Sequence, residues 1–483
     1  MKTVYGVLGL CAAAVLAGGC ASTGPQRPLD LGCIASRDTT VAGQSRTRAL
    51  GPFYEHRRDD KGRTFTAVRP FYSRIEDPEK DRALTEMLWP LGVAHRFRRE
   101  TYWRFVNLYH DDFDNTDRAS RYRTVLFPLL FYGRDKWGED YFAVFPLGGS
   151  LHEYIGQDRM DFILFPLYGH AEHDEIEGFN VLWPFVNWTE GEGISRFRVF
   201  PFYGRSTMGD VWEKRFYLWP FYSSADFYYP QSSGHAFILF PLFGRVDLTD
   251  QQGWMLLPPF FHWSKGEEMT KLNCPWPFIQ YRSGHEDRLY IWPFYGRRER
   301  GPVRSTYYLW PIVHDNVFTG SRVTKRRLHV IPLYYQEDWR ARDGTESLVK
   351  ARKIWPLFCY ARERDHSVLR IPDLWPFYGV GGVERNFAPF WTLYSRAQFG
   401  ETIEHELLWG LYRTRNDGRG NGRMSIFPLY SSRRSAEGEG VREWSLLHGL
   451  LGYRREGWQT TYRLLYFFRI RHGEARPPSP GEE

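Results

Sequence analysis

The chain has 483 residues, a net charge of +7 and a mean hydropathy of −0.51. Aromatic residues make up 18% and charged residues 25%, which excludes a disordered chain on one side and a helical membrane protein on the other. Ten of the 64 basic residues are Lys and the rest Arg, interleaved with 57 acidic residues; without a single basic stripe, nucleic acid is not an expected partner.

Residues 1–19 carry one early Lys, an apolar run from Val4 to Ala17 and then small residues up to Cys20. That pattern is an export signal, too short for a permanent membrane helix. Leu16-Ala17-Gly18-Gly19-Cys20 resembles the lipobox of bacterial lipoproteins. The resemblance implies that Cys20 becomes the lipidated first residue of the mature chain and contacts membrane lipid, and Ala21 after it implies the outer membrane. Residues 20–50 turn to Ser, Thr, Gly, Pro and Arg and read as a flexible tether. Cys33, Cys274 and Cys359 remain beyond the signal and anchor, an odd number for an oxidising compartment, and spacing leaves any pairing open.

From residue 51 the chain repeats one phrase: an aliphatic, an aromatic, Pro, then an aromatic or Leu, then an aromatic. Its prolines include Pro128, Pro146, Pro166, Pro184, Pro201, Pro220, Pro241, Pro259, Pro293, Pro311, Pro332, Pro356, Pro376 and Pro428. Repetition of this kind sets the architecture before any local reading. The phrase is rich in Phe, Tyr, Trp, Val and Ile and is bounded by turn pairs such as Asp343-Gly344 and Glu456-Gly457, so each copy reads as a strand. The spacing predicts an all-β array of about 20 antiparallel strands in a meander of hairpins. Both faces of each strand are apolar in the middle. A Pro at each strand centre predicts a shared bend, curling the array into a two-layer or barrel-like closed structure. The body is one domain over residues 51–473, and 474–483 form a disordered tail.

Motifs for chemistry are sparse. His170, Glu172, His173, Asp174 and Glu175 offer metal-type donors in a turn, and Asp111, Asp112, Asp114, Asn115 and Asp117 partly match a calcium loop without its Gly and Glu. His405 lacks the second His of a zinc-protease helix, Trp409 standing in that place. No catalytic residues, metal site or cofactor are predicted. The motif Trp residues (Trp183, Trp219, Trp292, Trp310, Trp355, Trp375) read as core packing. Tyr203 with Arg205 and Tyr295 with Arg297 sit just outside the apolar run and are the expected contacts for an acidic partner, because Arg forks bind phosphate and carboxylate. An anionic glycolipid or an envelope protein fits that chemistry.

The expectation is a non-catalytic envelope lipoprotein, a structural or binding scaffold held to the outer membrane by Cys20. Two alternatives stay open: an integral outer-membrane β-barrel for transport or assembly, and a glycan-binding or carbohydrate-active protein.

Overall fold

A computed structural model describes residues 29–436 and 440–473. Cys20, the signal peptide and the tail at 474–483 lie outside the described residues. Among the described residues the protein is all-β: 46 antiparallel strands form one sheet, 61% of these residues are strand, and helices are few. Each strand pairs with the strands before and after it in sequence, from β1 (Leu29–Leu31) to β46 (Phe468–His472). Among the described residues β1 pairs only with β2 (Ala35–Thr39) and β46 only with β45 (Gln459–Leu464), so the backbone ladder does not close into a barrel. The sheet already begins inside the stretch read as a tether, since β1, β2 and β3 (Ser45–Ala49) fall there.

The strand count is about twice the expected one, and the reason is the place of the prolines. Pro220 lies in a turn, not at a strand centre. β21 (Trp212–Tyr217) ends at Tyr217, β22 (Tyr222–Tyr229) starts at Tyr222, and these two pair across a four-residue apolar loop. Within it Leu218 has φ +49°, the Trp219–Pro220 bond is cis, and the Phe221 amide donates to the Leu218 carbonyl at 2.8 Å. Seventeen further X-Pro bonds among the described residues are cis, most of them in equivalent turns, as at Pro201, Pro293 and Pro356. Each phrase therefore contributes the end of one strand, a tight turn and the start of the next. The missing Pro N–H removes no ladder bond here. Instead the Pro carbonyl accepts from the following copy: Trp219 N donates to Pro201 O and Trp310 N to Pro293 O, both at 2.7 Å.

Alternate turns are polar. At Glu192-Gly193 both residues have positive φ (45° and 75°) and the flanking Gly191 and Ile194 pair directly, the two-residue hairpin geometry that suits the twist of strands. Because strands alternate in direction, every motif turn lies along one rim of the sheet and every polar turn along the other.

Side chains alternate between two faces. One face carries an unbroken row of cross-strand neighbours that runs Asn187, Arg198, Gly204, Phe216, Ser223, Ile238, Gly244 and Met255. This face is the more enclosed: its members include the buried Ala67, Ala143, Phe162 and Cys359. The other face is exposed, with Trp254 and Leu256 half open to solvent or more. Half of the ten buried apolar residues among those described are Ala, so the array has little large-side-chain core and rests on its ladder and on cross-strand pairs.

Early and late strands also meet through side chains. Arg46 reaches Glu404 at 2.6 Å, Arg48 reaches Glu406 at 2.5 Å, and Arg413 reaches Asp38 at 2.5 Å. Next to them a short helix, Gly381–Asn386, sets Arg385 and Asn386 on the buried carboxylate of Glu86 at 2.6 and 2.7 Å. Phe53 packs edge-on against Phe390 with ring centroids 5.1 Å apart.

Candidate functional site

The motif turns concentrate the protein's exposed apolar surface. Phe202, Leu218, Trp219, Phe221, Phe294 and Leu357 all stand half or more open to solvent in these turns. Aromatic rings preceding the prolines make tilted contacts from one turn to the next: Phe165 with Trp183 at 5.8 Å, Phe200 with Trp219 at 5.3 Å, Trp292 with Trp310 at 6.0 Å. Trp183, Trp219, Trp292 and Trp310 thus belong to a ladder of rings along a rim and not to the buried core that the sequence suggested. Trp355 and Trp375 are partly buried, with Trp355 Nε1 donating to Leu374 O and Trp375 against Phe377. Such ring contacts stabilise neighbouring turns while leaving ring faces wet.

Above this rim the exposed face is graded. The first position after the turn is mainly Tyr or another large apolar residue, as in Tyr203, Tyr217, Tyr222 and Phe243. Two residues further come Arg205, Arg215, Arg245 and Arg297, mixed with Trp254 and Trp263. Beyond them lie Glu213, Asp226, Asp247 and Glu299. Apolar tips, a Tyr belt, a cationic belt and then acids follow in order away from one rim.

The sequence-predicted contacts sit within this gradient. Tyr203 meets Tyr217 in a tilted ring contact at 5.4 Å and Tyr295 meets Tyr308 at 5.5 Å. Arg205 donates to Glu213 at 2.6 Å and Arg297 to Glu299 at 2.6 Å, so both guanidinium groups already hold a carboxylate. Glu213 is pulled down to about 2 by Arg215 and Arg205, which outweigh the opposing effect of burial.

The other candidates resolve into local structure. His173 and Asp174 gather around Asp158, which also takes Lys136 at 3.0 Å, while His170 stacks on Phe179 at 4.5 Å. In the acidic run Asp111 pairs with Arg123 at 2.6 Å, and Asp114 and Asp117 accept amides two residues on, as carboxylates do in Asx turns. His405 meets the Tyr394 hydroxyl at 2.8 Å. Cys33, Cys274 and Cys359 are all free, and burial raises the pKa of Cys359. A further cluster unseen in sequence joins Asp135 to His152 at 2.7 Å and His152 to Ser150 at 3.0 Å. There Tyr141 stacks on the buried imidazole at 5.1 Å and the Trp137 and Glu139 amides bond Asp135. The chain of bonds staples a turn into the gap left where β13 (Asp140–Val144) and β14 (Gly148–Tyr154) pair over only two residues.

What the sequence missed lies on the enclosed face. Over ten strands, β16 (Tyr168–His173) to β25 (Gln251–Leu256), every carboxylate within a strand points to the exposed side: Glu172, Glu177, Glu190, Glu213, Asp226 and Asp247. The enclosed side of the same strands carries Arg196, Arg198 and Lys214 and no acid. Strand parity alone could have sorted these residues.

A comparison with protein-family models and with curated proteins finds no match for this chain.

Proposed function

We propose that the protein is a non-catalytic lipoprotein of the bacterial envelope, a structural or binding scaffold that sits on the outer membrane through the lipid of Cys20 and through its apolar rim. The observation that carries this reading is the sorting of exposed Leu, Phe and Trp into the turns of one rim, backed by a Tyr belt and then Arg. Turn and first strand positions together make a layer about 10 Å deep at about 3.3 Å per residue, which suits seating in one leaflet. The strands support seating over spanning: the longest have eight residues, and crossing a bilayer takes about 9–11. The face-to-face contacts between early and late strands favour an array rolled upon itself, held by side chains where the ladder stays open.

The test is membrane fractionation of the wild type, of Cys20→Ser and of Cys20→Ser combined with Phe202→Ser, Phe221→Ser and Phe294→Ser, each washed with carbonate. The scaffold reading expects Cys20→Ser to bind membranes weakly and to leave in the wash, and the combined variant to be soluble before washing. Retention of Cys20→Ser after carbonate, with heat-modifiable migration on a gel, would replace the scaffold with an inserted barrel.

A further inference from the structure

Arg196 and Arg198 lie on β19 (Ile194–Val199), and Lys214 lies on β21, one strand beyond β20 (Tyr203–Met208). The register puts Arg196 beside Ser206 and then Lys214, and Arg198 beside Gly204 and then Phe216. All three cations therefore share one small area of the enclosed face. Among the described residues none has a carboxylate partner: Arg196 has only Ser206 Oγ at 3.4 Å, Lys214 lies 4.3 Å over the Trp212 ring, and the enclosed Nε of Arg198 has no hydrogen-bond partner. The neighbouring acid, Glu213, is on the opposite face and is committed to Arg205 and Arg215. Gathering three uncompensated cations is unfavourable in the isolated chain, and burial with Arg196 nearby lowers the pKa of Arg198. An anion would relieve it.

Beside the cations the surface turns aromatic. A concavity of about 610 Å³ opens there, with Phe200, Phe216 and Trp219 on its rim side. The Phe200 ring contacts Phe216 at 6.5 Å and Trp219 at 5.3 Å, which makes a continuous apolar floor leading toward the motif turns. Space exists over the cations because Gly204, Ser223, Ala225 and Ala236 fill the adjacent positions. A few fixed polar groups at one end and an aromatic wall at the other are the usual make-up of a ligand site.

We infer that this concavity binds an anionic amphiphile, with a phosphate-type headgroup on Arg196, Arg198 and Lys214 and an acyl chain along Phe200, Phe216 and Trp219. The site works by charge pairing at one end and apolar burial at the other, and it does not depend on the rim being seated in a membrane. A lipid and a free phosphate share the headgroup chemistry and differ in the aromatic part.

The experiment is calorimetric titration of the full chain in a neutral maltoside detergent with dihexanoyl phosphatidic acid, dihexanoyl phosphatidylcholine and inorganic phosphate. The expected result is saturable binding of the phosphatidic acid, at least tenfold tighter than either comparison probe. Arg196→Gln with Lys214→Gln, both at exposed positions, should weaken it at least tenfold while circular dichroism and the thermal midpoint stay as in the wild type. Phe216→Leu should weaken the lipid and leave inorganic phosphate unchanged. Equal binding of phosphatidylcholine, or binding unaltered in the double variant, would overturn the site. Inorganic phosphate binding as tightly as the lipid would overturn the amphiphile.

Discussion

At Glu55 and His262 two titratable side chains are held far from their ordinary behaviour by opposite means. Burial works against the Glu55 carboxylate, but Arg57 at 2.7 Å and Arg69 at 2.5 Å outweigh it and bring its pKa from 4.5 to about 2. A carboxyl depressed in the folded state stabilises it above pH 4.5, and that contribution, about 3 kcal/mol at most, is lost as pH falls toward 2. His262 is enclosed with an unpartnered Nε2 and lies near Lys271; burial first, then that charge, lower it from 6.5 to about 4. Here the unfolded chain binds the proton more readily, so stability declines as pH drops from 6.5 to 4. Urea midpoints measured against pH should therefore fall in two windows. His262→Gln should remove the upper one, and Glu55→Gln should lower the plateau while flattening the lower one. A single window unaffected by His262→Gln would refute the upper assignment.

The repeating element is a hairpin in which Gly and an aromatic ring face each other across strands. Gly204 opposes Phe216 and Gly296 opposes Tyr307. A Cβ on either Gly would overlap the facing ring, and neither Gly has a positive φ, so the need for Gly is steric and not conformational. Gly296→Ala should cost about 1–3 kcal/mol by overpacking. Combining it with Tyr307→Ala should cost less than the two single changes added together, and a double-mutant cycle reads that coupling; simple additivity would show that the ring does not set the Gly. These hairpins were legible from composition and spacing: β-branched and aromatic residues, polar turn pairs and the recurring phrase all pointed to strands and a meander. The motif turn was not, because Leu218-Trp219-Pro220-Phe221 contains no Gly, Asn or Asp, and its positive φ falls on a Leu. Its apolar run looked like a strand centre. Spacing held the clue: two strands of six residues, as in β20 and β21, with a four-residue and a two-residue turn come to about 18 residues, the observed period. At the binding surface Arg205 and Arg297 drew attention because they follow the motif. Arg196 and Arg198 matter through the face they share, and which face is enclosed is a tertiary property that one strand cannot reveal.

For the whole molecule, contacts run mainly between neighbours in sequence, as in other repeat arrays, so local changes should stay local. The exception is the junction of early and late strands. Arg413 is 8% exposed there and bonds Asp38, while Arg46 links Asp38 to Glu404. Buried pairs of this kind need not add net stability, yet removing one partner leaves a desolvated charge and costs about 3–5 kcal/mol. Arg413→Ala should release β2 and β3 from β39 (Thr402–Leu407) and β40 (Tyr412–Asn416), raising amide exchange in those four strands. Exchange in β16 to β25 should not change, because no junction residue touches them. Changing Arg48 and Glu406, an opposed pair 2.5 Å apart, to Met and Leu together should spare most of the loss seen when either is changed alone, since an apolar pair carries no desolvated charge. Faster exchange along the entire array after Arg413→Ala would mean that the junction is the clamp on one cooperative unit. Faster exchange confined to the four strands would mean that side chains join the two ends of a sheet whose stability is built hairpin by hairpin.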